Sequence, residues 1–175
     1  MAEVSTCQDM QIRAASEADA AAIAAIYNQG IADRVATYET ELRSTEERRA
    51  WLRAIADRYP AVVAEAEGQV VGWAGAGPYR ARECYRGIGE FSVYVHRHWR
   101  GRGVGDILLP ALISEAERFG LWKLLSRIFL FNDASRALCR KHGFREVGIY
   151  EKHAKLDGLW LDVVIVERLI PANLT

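Results

Sequence analysis

Cysteine is scarce in this chain and neither charge is in excess. The 175 residues include three cysteines, Cys7, Cys84 and Cys139. Their number is odd and they lack C-x-x-C spacing, so neither a disulfide framework nor a metal site is expected and the thiols read as reduced. Lysine plus arginine matches aspartate plus glutamate at 23 each, which removes the basic field that a nucleic-acid partner needs. No apolar run approaches the roughly 20 residues of a bilayer span, and residues 1–10 lack the apolar centre of a signal peptide. The expectation is a cytoplasmic protein with no membrane partner. A P-loop is missing too, because no Lys-Ser or Lys-Thr pair follows a glycine.

What the chain has is apolar material: half of its residues are hydrophobic. That is enough to bury one core, so one domain is expected over residues 10–170, preceded by a flexible extension at 1–9. The pattern predicts a strand at Gln11–Ala14. Ser16 and Asp19 then form a capping signal for a helix over Ala18–Ile31. A second helix follows Ser44 and Glu47, with Trp51, Leu52 and Ile55 on one face, and Pro60 ends it. Strands at Ala61–Ala66 and Val70–Ala76 flank the Glu67-Gly68-Gln69 turn, and Ile88–Val95 is a further strand. A helix over Val104–Phe119 contains Pro110, which should bend it. A strand at Lys123–Ile128 and a helix over Asp133–His142, stopped by Gly143, come next. A hairpin closes the chain, Glu146–Lys155 with Trp160–Leu169, turned by Asp157-Gly158. The order is β-α-α-β-β-β-α-β-α-β-β, a mixed α/β class.

Between the strand at Ile88–Val95 and the following helix lies Trp99-Arg100-Gly101-Arg102-Gly103-Val104-Gly105. Alternate glycines remove the Cβ atoms that keep a ligand off the backbone, so N–H groups at a helix N-terminus can converge on an anion. The spacing is not G-x-G-x-x-G, since Asp106 stands where the third glycine of a dinucleotide fingerprint falls. A glycine-rich turn before a helix is the bland alternative. The pattern R/Q-x-x-G-x-G/A is satisfied by Arg100, Gly103 and Gly105, and it resembles the acyl-coenzyme A signature of the GNAT superfamily of N-acetyltransferases. The resemblance implies a single-domain α/β GNAT fold, a mixed central sheet with flanking helices, and acetyl-CoA as co-substrate with no metal.

Local matches are narrower. Tyr27-Asn28, Thr37-Tyr38-Glu39, Gly89-Glu90 with Ser92–Val95, and Trp160-Leu161-Asp162-Val163 resemble phosphinothricin N-acetyltransferases, which acetylate the α-amino group of small amino-acid antimetabolites. Trp122-Lys123-Leu124, Ser126-Arg127-Ile128-Phe129 and Lys155-Leu156-Asp157-Gly158 look more like the arsenic-resistance branch, which acts on arsinothricin. The implied activity is detoxifying acetylation of arsinothricin, phosphinothricin or methionine sulfoximine.

Acetyl transfer needs a base for the ammonium, donors for the developing oxyanion and a place for the leaving thiolate. By resemblance Glu90 is the catalytic glutamate, although a lone strand-end carboxylate is more often ordinary. Backbone groups of Val93, Tyr94 and Val95 are the expected oxyanion and pantetheine partners. The pyrophosphate is expected on Gly101, Arg102, Gly103, Val104, Gly105 and Asp106, with Arg100 adding charge. Asn132 resembles the family's pantetheine-binding asparagine, with Ser135 beside it. Cys139 occupies the slot that often carries a tyrosine or histidine acid, and it reads equally as a small core residue. For the acceptor, Arg80 and Arg82 are candidate anion clamps. Phe91, Ser92 and Tyr38 are expected to line the pocket, and Trp73 is a further candidate wall. Members of the family commonly form homodimers, for which the apolar Val163–Leu169 is a candidate contact or simply a buried strand. Two other functions stay open: acetylation of another amine such as a protein N-terminus or polyamine, and a non-catalytic acetyl-CoA-binding module.

Overall fold

The computed structural model describes residues 10–174. The expected N-terminal extension and Cys7 lie outside the described residues. The elements in order are β1 (Gln11–Ala14), α1 (Ala20–Asp33), α2 (Thr45–Ile55), β2 (Ala61–Ala66), β3 (Gln69–Pro78) and β4 (Ile88–Val95). They continue with α3 (Val104–Arg118), β5 (Lys123–Phe129), α4 (Asp133–Lys141), β6 (Arg145–Leu156) and β7 (Leu159–Leu169). The order matches the pattern read from sequence, and most boundaries move by no more than two residues.

The expected Ser16–Asp19 capping box is present, but it opens a 3-10 turn ahead of the helix. Glu17–Asp19 form a 3-10 turn and α1 begins only at Ala20. The buried Asp19 carboxylate is held from outside the helix: Arg13 donates to both of its oxygens at 2.8 and 2.7 Å, and the Ser16 backbone N–H donates at 2.7 Å. The Arg13 guanidinium, ahead of the Ser16 contacts, holds the Asp19 carboxyl below its ordinary value against the opposing cost of burial. A carboxylate depressed in the folded state stabilises the fold above its unfolded pKa of about 3.9, and that contribution fades as pH falls toward the folded value. Asp19→Asn should therefore be less stable at pH 7. Its urea midpoint should also fall less steeply than the wild type's below pH about 4. Parallel midpoint curves would show that Asp19 carries no pH-linked stability.

The seven strands form one sheet in the order β1-β2-β3-β4-β5-β7-β6, antiparallel except at β4–β5. Helix α3 packs Leu108, Leu109 and Leu112 on one face with Ala74, Phe91, Leu124 and Ile128. Helices α1 and α2 cover the other with Ile23, Ile26, Tyr27 and Leu52 over Val63 and Trp73. Gly72 permits the close seating of α3, since a Cβ there would stand 2.8 Å from Val104 and 2.9 Å from Leu108. The start of α3 is thereby pressed onto the sheet beside β4. The helix is continuous across Pro110, which faces outward.

One expectation is corrected by this packing. Trp73 is a core residue at 2% exposure, stacked on Tyr94 with centroids 5.2 Å apart, and is no pocket wall. Strand β7 is paired on both edges, by β5 and β6, and Val163, Val164 and Val166 are buried, so of the two readings of Val163–Leu169 the buried strand holds, with Leu169 exposed at its end.

Candidate active site

Strands β4 and β5 are in register only over Ile88–Glu90 and Lys123–Leu125, and past that point they diverge. On its other edge β4 stays paired with β3 through Val95. Alternate backbone groups of residues 91–95 therefore face the gap with no ladder partner on β5. A cleft of about 580 Å³ opens there, bounded by Val93, Tyr94 and Val95 on one side and by Asn132, Ser135 and Leu138 around α4 on the other.

The glycine loop closes one end of the cleft. Gly101 and Gly103 have φ of +71° and +82°, and Gly103 is the N-cap of α3 with no side-chain cap. The first N–H groups of α3 are thus left for an outside acceptor, where the helix dipole favours an anion. Gly101, Gly103, Val104, Gly105 and Asp106 all line the cleft. A cradle of bare backbone at the mouth of an apolar-walled gap fits a diphosphate followed by an extended pantetheine arm.

The charged residues around this loop have distinct partners. Arg100 lines the cleft, but its charge is shared with Asp33 of α1 at 2.6 Å, and its Nε donates to the Val95 carbonyl at 3.2 Å. Arg102 lies 5.2 Å over the Trp99 ring, outside the lining, so the structure does not bring it to the cradle with the glycines. Asp106 is no bare negative charge against a phosphate. Lys141 at 2.8 Å and His142 at 3.0 Å hold it, and the Lys141 contact leads in keeping its carboxyl below the ordinary value. The effect is to present Lys141, a cleft-lining cation that sequence reasoning missed. Asn132 caps α4, accepting from the Ser135 N–H at 3.1 Å, and donates to the Val35 carbonyl at 3.0 Å, which ties the loop after α1 to the cleft.

A smaller pocket continues the cleft between the diverging strands, sharing Val93, Tyr94, Asn132 and Leu138 with it and reaching Ser126, Arg127 and Cys139. Cys139 is 3% exposed, and burial pushes its thiol up to about 12. A thiol that weakly acidic is a poor proton donor to a leaving thiolate of lower pKa. Cys139→Ala should keep kcat within about twofold of wild type, since coenzyme A needs no acid to depart, and should cost stability through the vacated volume. A large loss of kcat with an unchanged melting temperature would restore the acid role.

The face of the sheet under α1 and its following loop carries Glu90, Ser92 and Tyr38, which are expected at the acceptor. Alternation along β4 sends Phe91, Val93 and Val95 toward the α3 core and leaves Glu90, Ser92 and Tyr94 on the opposite face. Phe91 is a core ring, 4.9 Å from Phe144, Ser92 is exposed, and both line the smaller pocket. Glu90 Oε1 accepts from Arg127 of β5, from Nε at 3.0 Å and Nη2 at 2.5 Å. Tyr38 stands beside this pair's strand, its ring 4.8 Å from Phe129 and its hydroxyl donating to the Leu161 carbonyl at 3.3 Å. The β3–β4 turn leaves from the same end, with Gly77 opposite Glu90. Arg80 and Arg82 on that turn are exposed, and Arg80 lies over the rings of Tyr79 and Tyr85 at 5.1 and 6.0 Å. Neither lines the two pockets.

Residues 23–144 match the Acetyltransferase (GNAT) family. The chain is 38% identical over 158 residues to an L-methionine sulfoximine/L-methionine sulfone acetyltransferase from Pseudomonas paraeruginosa, covering 89% of this chain and 92% of that protein. Among solved structures, a GNAT superfamily phosphinothricin acetyltransferase from Sinorhizobium meliloti in complex with AcCoA superposes with a TM-score of 0.87 at 33% identity, over 93% of this chain and 89% of that one. A ribosomal-protein-alanine N-acetyltransferase from Brucella melitensis superposes with a TM-score of 0.88 at 40% identity, over 91% and 99%. The chain thus shares its fold with a protein solved with AcCoA bound, and it belongs to the GNAT family as an acetyl-CoA-dependent N-acetyltransferase.

Proposed function

We propose that the acceptor is the α-amino group of a small amino-acid antimetabolite with a tetrahedral head group, namely phosphinothricin, methionine sulfoximine or arsinothricin, and that acetylation detoxifies it. The observation that carries this reading is Glu90 at the end of the β4–β5 register, on the acceptor face at the point where the gap opens. The names of the Pseudomonas and Sinorhizobium relatives support the substrate class.

In this reading Glu90 takes the ammonium proton, directly or through a water, so that a neutral amine attacks the thioester carbonyl. Backbone N–H groups among Val93, Tyr94 and Val95 steady the negative charge that develops on the acetyl oxygen. The N-terminus of α3 holds the pyrophosphate, and Asn132 and Ser135 flank the pantetheine arm. Arg80 and Arg82 reach the head group from the β3–β4 turn, and Ser92 and Tyr38 bound the acceptor. The test is thiol release from acetyl-CoA with the three amino acids, a polyamine and a peptide N-terminus at equal concentrations. Preferred turnover of one amino acid supports the reading. The Brucella relative's name favours a second reading, a peptide α-amine, and turnover of the peptide alone would replace the first with it.

A cytoplasmic homodimer completes the proposal. Among the described residues no helix is long and apolar enough to cross a membrane. Strand β6 is a sheet edge, and its hairpin exposes Val147, Ile149, Tyr150, Leu159 and Trp160, the last two at 69% and 55%. Exposed apolar edges of this kind seek a partner strand. Trp160→Glu should shift the sedimentation of a dimer toward monomer, and a monomeric wild type would remove the assembly.

A further inference from the structure

The Glu90–Arg127 pair is placed where neither packing nor stability calls for it. Arg127 is half exposed and Glu90 is 28% exposed, and a pair so accessible contributes only about 0–1 kcal/mol to the fold. Both nitrogens of Arg127 that engage Glu90 meet the same oxygen, Oε1. Oε2 of Glu90 and Nη1 of Arg127 have no partner among the described residues. The pair thus presents an open carboxylate oxygen next to open guanidinium N–H groups, on the acceptor face and beside the pocket that runs into the cofactor cleft.

That arrangement is the complement of a zwitterion. An α-amino acid carries an ammonium and a carboxylate on one carbon, and a glutamate paired side-on with an arginine offers each of them a partner of opposite charge. The fork of Arg127 matches a carboxylate in two hydrogen bonds, and the amine that it anchors falls against Glu90. We propose that Arg127 binds the α-carboxylate of the acceptor and makes the enzyme selective for free α-amino acids over amines that lack it. Arg127 thereby serves the end of the substrate opposite to the one assigned to Arg80 and Arg82. This rests on the amino-acid reading above and goes beyond it in assigning the carboxylate.

The experiment compares kcat/KM for methionine sulfoximine with that for its α-carboxamide and its decarboxylated amine, in the wild type, Arg127→Gln and Arg127→Lys. The wild type should prefer the free acid. Arg127→Gln should raise the KM for the acid about 10- to 100-fold, the range for a lost charge-assisted hydrogen bond. It should leave the KM for the amide, the amine and acetyl-CoA within about twofold, while any change in kcat that arises through the Arg127–Glu90 contact falls on all three acceptors alike. Arg127→Lys should recover part of the preference. A variant whose KM rises equally for acid and amide, or that keeps the wild-type KM for the acid, overturns the inference while the amino-acid reading stands. A wild type that prefers the amide or the amine overturns both.

Discussion

Glu90→Gln is expected to lower kcat for acetyl transfer by about 10²- to 10⁴-fold, the usual contribution of a positioned general base. The substitution keeps the shape of the side chain and an oxygen that can still accept from Arg127, which lies at 2.5–3.0 Å. It removes the ability to take a proton together with the negative charge of the carboxylate. The KM for acetyl-CoA should be unchanged, because Glu90 lines neither the cleft nor the smaller pocket. The residual rate should climb with pH roughly in proportion to the free-amine fraction, as the acceptor loses its proton to solvent instead of to the enzyme. The wild type should be much flatter over the same range. Both traces come from a continuous thiol-release assay at saturating acetyl-CoA, and full turnover of the variant at every pH would discard Glu90 as the base.

The features that were readable in the sequence are those written in neighbouring residues. The Asp157-Gly158 turn shows φ of +48° and +81°, the geometry that a two-residue hairpin of this composition requires. The glycine cradle was visible because its spacing is local. What stayed hidden depends on contacts between distant segments. Glu90 and Arg127 are 37 residues apart, and Asp106 meets His142 across 36, so no window of the chain relates them. Arg100 and Arg102 look alike in sequence, and only the return of α1 places Asp33 against Arg100 while Arg102 folds back over Trp99. Alternation told which β4 residues share a face but not which face would receive substrate, since helices cover both sides of the sheet. This is why Trp73 reads as a pocket wall and lies in the core, while Phe91 belongs to the core and also lines the smaller pocket. The apolar stretch Val163–Leu169 was ambiguous for the same reason: an interior strand and a contact strand have the same composition.

The second large effect concerns the cradle. Gly103→Val should raise the KM for acetyl-CoA by about 10- to 100-fold while changing kcat at saturation far less. Gly103 adopts φ +82° and ψ +4° as the N-cap of α3, a region that costs an L-residue about 1–2 kcal/mol and a β-branched one more. Relaxing that strain rotates the peptide that aims the first α3 N–H groups, so the loss falls on bonds to the pyrophosphate and not on Glu90. Gly103→Asn separates strain from bulk, because asparagine tolerates the left-handed region, and it should fall between wild type and valine. Isothermal titration with coenzyme A reads the binding directly and needs no turnover. Melting curves taken in parallel show whether the fold survives. Wild-type affinity in a folded Gly103→Val protein would mean that the α3 N-terminus does not hold the phosphates, and the cofactor would then have to be anchored by Lys141 and the α4 wall.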